Sequence, residues 1–191
     1  MRRRMIGGQT VSNGIYILHT NGKLYTSDKW NYSWRNDAVG VALISDNSSF
    51  VISGIELKNR SWSNTTGLIQ GVTTITSSNE AKKDFNGFQN TQSIAEYTHA
   101  SAAYECTVTQ FKNGQMVGEW MEIINNLDEI NKCMSLIDGL DIDKSATSYW
   151  TSTQYNYEKA WLVTYNGNEF YPNDERKSVS FYAIRVISQL I

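Results

Sequence analysis

The side chains best suited to chemistry in this sequence are those of a binding surface, and they lie in the last quarter of the chain. Tyr, Asn and Ser recur there between segments of alternating apolar and polar residues. Tyr supplies rigid contact area at low entropic cost, and Asn and Ser supply adaptable hydrogen bonds. We therefore predict a non-covalent ligand-binding set that comprises Tyr155, Asn156, Tyr157, Glu158, Asn168, Tyr171, Asn173, Asp174, Arg176, Ser178 and Ser180.

Nucleophiles and soft metal ligands are few and scattered. The chain contains two cysteines, Cys106 and Cys133, and two histidines, His19 and His99. No CxxC pair is present and the histidines are far apart, so we expect no zinc site. We expect both cysteines to be small buried apolar residues, with one disulfide bridge as the alternative.

The acidic residues also lack the spacing of a metal or catalytic site. Asp128 and Glu129 fit a solvated helix start, and Asp141 and Asp143 fit a loop. Glu119 stands at the predicted start of a helix, where a carboxylate commonly interacts with free backbone amides. We therefore predict a protein that is not an enzyme and that uses no metal or other cofactor.

Short strands are predicted to hold the binding residues in place. Residues 161–165 alternate as a half-buried strand does, and the Asn-Gly pair at 166–167 favours a two-residue hairpin turn. Residues 149–153 and 182–186 predict two further strands. We expect the segments between these strands, 155–158 and 171–176, to be loops.

The first third of the chain predicts two more pairs of strands. Residues 14–19 and 23–26 flank an Asn-Gly turn. Residues 39–44 and 50–52 flank a turn rich in Ser, Asp and Asn. An aromatic loop at 30–36 connects the two pairs.

The middle of the chain predicts helices. Ser77 and Glu80 have the spacing of a capping box, which predicts a helix through Phe85 that stops near Gly87. Residues 91–97 predict a second helix, which residues 100–107 extend after a break. From Trp120 to Ile137 apolar residues recur at three- and four-residue steps, which predicts the longest helix, with a break near 125–126 and an end at Gly139. Strands, then helices, then strands indicate an α+β fold.

The bulk composition excludes several classes of partner. The 191 residues carry a formal net charge of −2, so nothing favours nucleic acid. No apolar run approaches the roughly 20 residues of a membrane span.

Residues 1–13 form a basic arm that is either a disordered terminus or an attachment peptide. No apolar stretch follows the basic start, so we expect no secretory signal.

Several motifs in the second half resemble a known family. The Gly-Glu-Trp of 118–120 after an Asn-Gly turn, the Trp-Thr-Ser-Thr of 150–153, Ala-Trp at 160–161 and the closing strand 182–186 are similar to bacterial and phage C-type-lectin-like domains. The resemblance covers roughly residues 14–190. Such domains occur in gut-bacterial surface proteins, phage fibres and retroelement variable proteins, and formylglycine-generating enzymes share the fold.

The sequence lacks the motifs of the calcium-dependent lectins and of the enzyme branch of this family. The Glu-Pro-Asn and Gln-Pro-Asp tripeptides of calcium-dependent lectins are absent. The Arg-Leu-Pro-Thr leader of the enzyme branch is replaced by the Gln-Met-Val of 115–117, and no cysteine follows Cys133. The resemblance implies short antiparallel strands, two or three helices and long loops. It also implies paired terminal strands, with 14–18 beside 182–186.

The resemblance and the loops together predict a non-enzymatic binding module on a phage virion, as a head or tail fibre or decoration protein. It is expected to recognise a host-surface glycan or protein and to assemble in the host cytoplasm without a signal peptide. A bacterial cell-surface adhesin domain and, further off, an enzyme of the formylglycine-generating type are the alternatives. We expect residues 14–191 to form the lectin-like domain, residues 1–13 to contact other virion proteins, and the chain to form a homotrimer without inserting into a membrane.

Overall fold

A computed structural model describes residues 4–6, 8–139, 148–165 and 169–190. Its central element is a sheet whose strands come from both ends of the chain. The strands are β1 (Arg4–Ile6), β2 (Gln9–Val11), β3 (Gly14–His19), β4 (Leu24–Tyr25), β5 (Ala38–Ile44), β6 (Ser49–Arg60), β7 (Ser148–Gln154), β8 (Lys159–Tyr165), β9 (Phe170–Arg176) and β10 (Tyr182–Gln189). The eight strands from β3 onward form one sheet in the order β4-β3-β5-β6-β10-β7-β8-β9, and β1 and β2 pair separately.

Helices cover both faces of this sheet. They are α1 (Ser78–Ala81), α2 (Gly87–Tyr97), α3 (Ala102–Val108), α4 (Trp120–Asn125) and α5 (Leu127–Ile137). Consecutive β8 residues show the two layers, because strand side chains alternate between faces. Val163 packs in a core with Trp120 and Ile130 of α4 and α5. Leu162 packs in a second core with Ile94 of α2 and Cys106 of α3. The fold is therefore mixed α+β, as predicted.

Several local predictions are confirmed. The long apolar stripe breaks at Asn126 between α4 and α5, and Gly139 follows α5 with a φ of 72°. The strands around the Asn-Gly turn at 21–22 are β3 and β4. The tryptophans of the motifs that carry the family resemblance, Trp120, Trp150 and Trp161, are all buried. Among the described residues, no helix is both long and apolar enough to cross a membrane.

The predicted helix from Ser77 to Phe85 is wrong in its length. It ends at Ala81 after one turn, and the Ser77 side chain makes no capping hydrogen bond. Long-range hydrogen bonds compete with the helix, because the Asp84 carboxylate accepts from Thr153 Oγ1 at 2.7 Å and from Asn90 Nδ2 at 2.9 Å. Gly87 begins α2 instead of ending α1.

The predicted pairing of residues 14–18 with the closing strand is also wrong. β10 lies between β6 and β7, whereas β3 lies between β4 and β5. The physical reason is the length of β6, which has twelve residues. Its Ile52 faces Val41 of β5 on one side and Ile187 of β10 on the other, so two strands separate β3 from the end of the chain.

The C-terminal segment 171–176, predicted as a loop, is strand β9 at the edge of the sheet. It pairs with β8 in continuous antiparallel register from Lys159–Arg176 to Tyr165–Phe170. Pro172 fits this position because an edge strand can lack one backbone donor. The predicted turn at 166–167 and the predicted binding residue Asn168 lie outside the described residues, as do Asp141 and Asp143.

Candidate ligand-binding face

The turn between β7 and β8 is built by one predicted binding residue and displays another. Asn156 Oδ1 accepts hydrogen bonds from the backbone N–H of Glu158 at 2.9 Å and of Lys159 at 2.8 Å, so this side chain shapes the turn. Tyr155 makes an edge contact with Trp161, at 5.2 Å between ring centroids. Tyr157, at the tip, is 58% exposed and free to meet a ligand.

The predicted residues on β9 do not converge on one point. Because side chains alternate along a strand, Tyr171 and Asn173 lie on one face of the sheet, and Asp174 and Arg176 lie on the other. Asp174 Oδ2 pairs with Lys159 Nζ at 2.5 Å, which ties β9 to β8. The two serines of the set, Ser178 and Ser180, are exposed in the connection from β9 to β10.

A residue that the sequence pattern did not single out, Lys177, joins these loops from beneath. Its side chain is only 1% exposed. Lys177 Nζ donates to the Gly67 carbonyl at 2.7 Å and to Gln154 Oε1 at 3.0 Å, and it lies 5.0 Å from the Trp62 ring centroid. Burial lowers the pKa of the Lys177 ammonium to about 8. Among the described residues, no carboxylate lies within ion-pair distance of it, so the ring and the two oxygens are its partners.

Gln154 supplies the second half of this anchor. Its buried amide donates from Nε2 to the Ile69 carbonyl at 3.0 Å and to the Val72 carbonyl at 3.2 Å. Its Oε1 atom accepts from the Ile69 N–H at 3.2 Å as well as from Lys177. The segment 63–72, which has no regular secondary structure, is therefore fixed by side chains of β7 and of the turn after β9.

Backbone hydrogen bonds complete the arrangement. The Gly67 N–H donates to the Tyr157 carbonyl at 2.6 Å, and the Ser63 N–H donates to the Lys177 carbonyl at 3.0 Å. The Lys177 N–H donates to the Glu158 carbonyl at 2.9 Å. We call residues 63–72, 155–158 and 177–178 the loop junction. Its three segments are held together by buried bonds, so the surface above them is ordered before any ligand arrives.

The outer surface of the loop junction presents apolar anchors beside polar groups. Leu68 is 61% exposed and follows the glycine that bonds to the Tyr157 backbone. A groove of about 450 Å³ begins at Leu68 and runs past Gln70, Ser93, Glu96 and Tyr97. The apolar surfaces of Leu68 and Tyr97 lie along the same groove as an amide, a hydroxyl and a carboxylate, which suits binding by contact and hydrogen bonding.

Neither of the two cysteines reaches this surface. Cys106 and Cys133 are free, fully buried, and in different cores. Burial raises the pKa of the Cys133 thiol to about 12 and that of Cys106 further, so neither supplies a thiolate near neutral pH. Within the described residues, no group of three or more His, Cys, Asp or Glu side chains could hold a metal ion.

Glu119 does not cap α4, contrary to the prediction. Its side chain makes no capping hydrogen bond, and within the described part of the chain its buried Oε2 atom has no hydrogen-bond partner. Burial raises the pKa of this carboxyl to about 7, and the charges of Asp84 and Glu122 add to the shift. Arg185 lies in a buried ion pair, in which its Nη2 atom is 2.8 Å from Glu56 Oε2.

Comparison with known proteins gives a likeness in structure. No family model matches the chain, and no curated protein matches it. The crystal structure of a fimbrial protein from Bacteroides ovatus is similar in fold, with a TM-score of 0.64 at 14% sequence identity. The match covers 93% of this chain and 48% of that chain, so this chain spans about half the length of the fimbrial protein. Nearly the whole chain thus shares an architecture with part of that protein.

Proposed function

We propose that this chain is a non-enzymatic binding module of the adhesin type, displayed on a bacterial cell surface, which holds its ligand at the loop junction. The observation that carries the proposal is the buried anchor of Lys177 and Gln154 beneath the exposed Tyr157. An anchor of this kind fixes the loops in advance, so less conformational entropy is lost when a ligand binds. The fold likeness to a fimbrial protein supports a surface role. The finer assignment to the C-type-lectin-like fold is part of this proposal.

The ligand in this proposal is a glycan or a protein on another cell. Tyr157 and Leu68 provide the apolar contact area, and the groove that begins at Leu68 provides amide and hydroxyl groups that match sugar hydroxyls or a peptide backbone. Side chains that project from a rigid, well-packed base are the usual positions of binding hot spots. Formylglycine-type oxidation would need an accessible thiolate, and both thiols here are buried with raised pKa values.

The fimbrial likeness favours the cell-surface alternative over the virion fibre of the sequence prediction.

The homotrimer and the role of residues 1–13 in attachment stay predictions. Within that arm β1 pairs with β2, and Gln9 Oε1 accepts from the Leu24 N–H at 2.7 Å. Multivalent display would raise the avidity of a weak site. Light scattering at micromolar concentration should give three times the monomer mass, and a monomer would contradict the trimer.

A glycan array, combined with pull-down from cell envelopes, tests the proposed function. The wild-type chain should retain a defined set of glycans or one envelope protein, and Tyr157→Ala and Leu68→Ala should each lose it. Tyr32→Ala is the matched control, because Tyr32 is 55% exposed but lies in the 3-10 helical segment Tyr32–Asp37, away from the junction. If wild type and Tyr157→Ala retain the same ligand equally, the loop junction is not the site.

A further inference from the structure

The groove of about 450 Å³ that begins at Leu68 lies between the segment 63–72 and the last turns of α2. Its lining residues are Leu68, Ile69, Gln70, Ser93, Glu96 and Tyr97. The two walls are fixed to each other, because Thr98 Oγ1, directly after α2, donates to Asn64 Oδ1 at 2.9 Å. Gly71 lies so close to α2 that a Cβ atom at this position would be 2.7 Å from Ser93 Oγ. The groove is therefore formed without a ligand.

This groove carries a negative charge that no neighbour offsets. Of the described residues that line it, Glu96 alone is charged at neutral pH. Glu96 is exposed, and it takes part in none of the ion pairs found within the described part of the chain. The buried ammonium of Lys177 lies beneath the same loop, but its hydrogen-bond partners are the oxygens of Gly67 and Gln154. The charge of the lining therefore favours a cationic ligand.

The position of Glu96 within α2 adds to this negative potential. Glu96 is the next-to-last residue of the helix, where unsatisfied carbonyl groups give the helix end a partial negative charge. A carboxylate here opposes the helix dipole, and the last turn of α2 contains no basic residue. Helix stability would favour a basic or neutral residue at this position. A bound cation, in contrast, is attracted both by the carboxylate and by the helix end.

Apolar surface beside the carboxylate suits a cation that is carried on a hydrocarbon chain. Tyr97 is 54% exposed and lines the groove together with Leu68 and Glu96. The methylene groups of an arginine pack on apolar surface while its charged end stays at a polar partner. The planar guanidinium also pairs with carboxylates through two hydrogen bonds and binds aromatic rings. A protonated amino sugar has no such hydrocarbon stem, so the lining favours an arginine of a protein over a sugar amine.

We infer that this groove binds an arginine side chain of a protein ligand. The guanidinium pairs with Glu96, the hydrocarbon stem lies against Leu68 and Tyr97, and the Gln70 amide bonds to the backbone of the ligand. This inference rests on the proposed function, because it narrows the ligand of the loop junction to a protein and names the part of it that enters the groove.

A titration followed by backbone amide NMR shifts tests the inference, with the acetylated tripeptide amide Ala-Arg-Ala as the probe. Saturable shifts at Glu96 and Tyr97 are expected, with a Kd of about 1–10 mM, because an exposed ion pair and a ring contact each contribute little. The same peptide with citrulline in place of arginine is similar in shape but neutral. It should bind more weakly by roughly fivefold or more. Glucosamine should also bind more weakly than the arginine peptide.

A charge-removing substitution locates the interaction. Glu96→Gln keeps the shape of the side chain and should weaken binding of the arginine peptide to the level of the citrulline peptide. Its melting temperature should not fall, because the substitution removes a charge that opposes the helix dipole. Glu80→Gln is the control, since Glu80 is exposed on α1 and does not line the groove. This variant should bind the arginine peptide as wild type does.

Four outcomes would each overturn the inference: no saturable shift with the arginine peptide, equal binding of the citrulline peptide, tighter binding of glucosamine, or full binding by Glu96→Gln. A ligand from the array that Tyr157→Ala loses and Glu96→Gln retains in full would overturn the arginine assignment and leave the loop junction as the site. Binding of the arginine peptide at Glu96, together with an array ligand that Tyr157→Ala retains in full, would support the groove and contradict the proposed function alone.

Discussion

The Nζ atom of Lys177 lies 2.7 Å from the carbonyl oxygen of Gly67, a residue 110 positions earlier in the chain. This bond crosses from the turn after the edge strand to a loop without regular structure. The shape of the candidate binding surface therefore depends on the buried Lys177 ammonium. Without it, the Gly67 carbonyl loses this hydrogen-bond donor. Lys177 therefore acts as a positioning residue under the loop junction.

Replacing Lys177 by Met should loosen the loop junction. Met fills a similar volume but offers no donor, so the Gly67 and Gln154 oxygens each lose a hydrogen bond and stability should fall by about 1–3 kcal/mol. The measurement is urea unfolding, with amide hydrogen exchange at Gly67 as a local readout. Lys132→Met is the control, because Lys132 makes an exposed pair with Glu129 and should change stability by less than about 0.5 kcal/mol. Unchanged exchange at Gly67 in Lys177→Met would contradict the anchor.

Substitution of a buried aromatic residue should lower the stability of the fold, whereas substitution of an exposed one should leave it nearly unchanged. Trp150 is buried, donates from Nε1 to the Arg60 carbonyl at 2.8 Å and contacts the Tyr182 ring. Trp150→Ala should therefore cost about 3–5 kcal/mol of stability. Tyr157→Ala and Tyr171→Ala remove exposed rings and should leave the melting temperature within about 2 °C of wild type. Thermal unfolding measures both effects, and a large loss of stability in Tyr157→Ala would show that this ring is structural.

The stability of the chain should depend on pH through Glu119. Burial raises the pKa of this carboxyl from 4.5 to about 7 in the folded chain. Between these values the folded chain binds more protons than the unfolded chain, so the contribution of Glu119 is fully present below pH 4.5 and is lost as the pH rises through 7. Glu119→Gln keeps the side chain neutral and should be more stable than wild type at pH 8, by about 3 kcal/mol at most.

Urea unfolding of both chains from pH 4 to pH 8 measures this difference. The two curves should converge toward pH 4 and separate as the pH rises. Glu80→Gln, at an exposed position in α1, serves as the control and should follow the wild-type curve. A constant difference between wild type and Glu119→Gln at every pH would contradict a titrating Glu119.

Local sequence signals predicted the elements that depend on local forces. The helix break at Asn126 follows from the apolar stripe, and the β3–β4 hairpin follows from its Asn-Gly turn. β9 was missed because an edge strand has no need of apolar alternation, and its residues from Asn173 to Arg176 are polar on both faces. The partner of β10 was missed because strand order depends on long-range pairing with the twelve-residue β6.

In the candidate site, too, the sequence pattern indicates the exposed residues but not the contacts between distant segments. Tyr157 and Tyr171 were predicted as ligand-binding residues, and the structure shows both rings exposed. The residues beneath Tyr157, namely Lys177 and Gln154, have no local signature, because a lysine after a polar segment has the pattern of a surface residue. Their role arises from loop 63–72, which folds against them from a distant part of the sequence.

The most direct test of the central claim is the affinity of the purified chain for a ligand identified on the array, measured for wild type, Tyr157→Ala and Tyr32→Ala. An interface hot spot contributes about 1–2 kcal/mol or more, so Tyr157→Ala should weaken binding by roughly tenfold or more. Tyr32→Ala should bind as wild type does. Equal affinities for wild type and Tyr157→Ala, with both chains folded, would contradict binding at the loop junction.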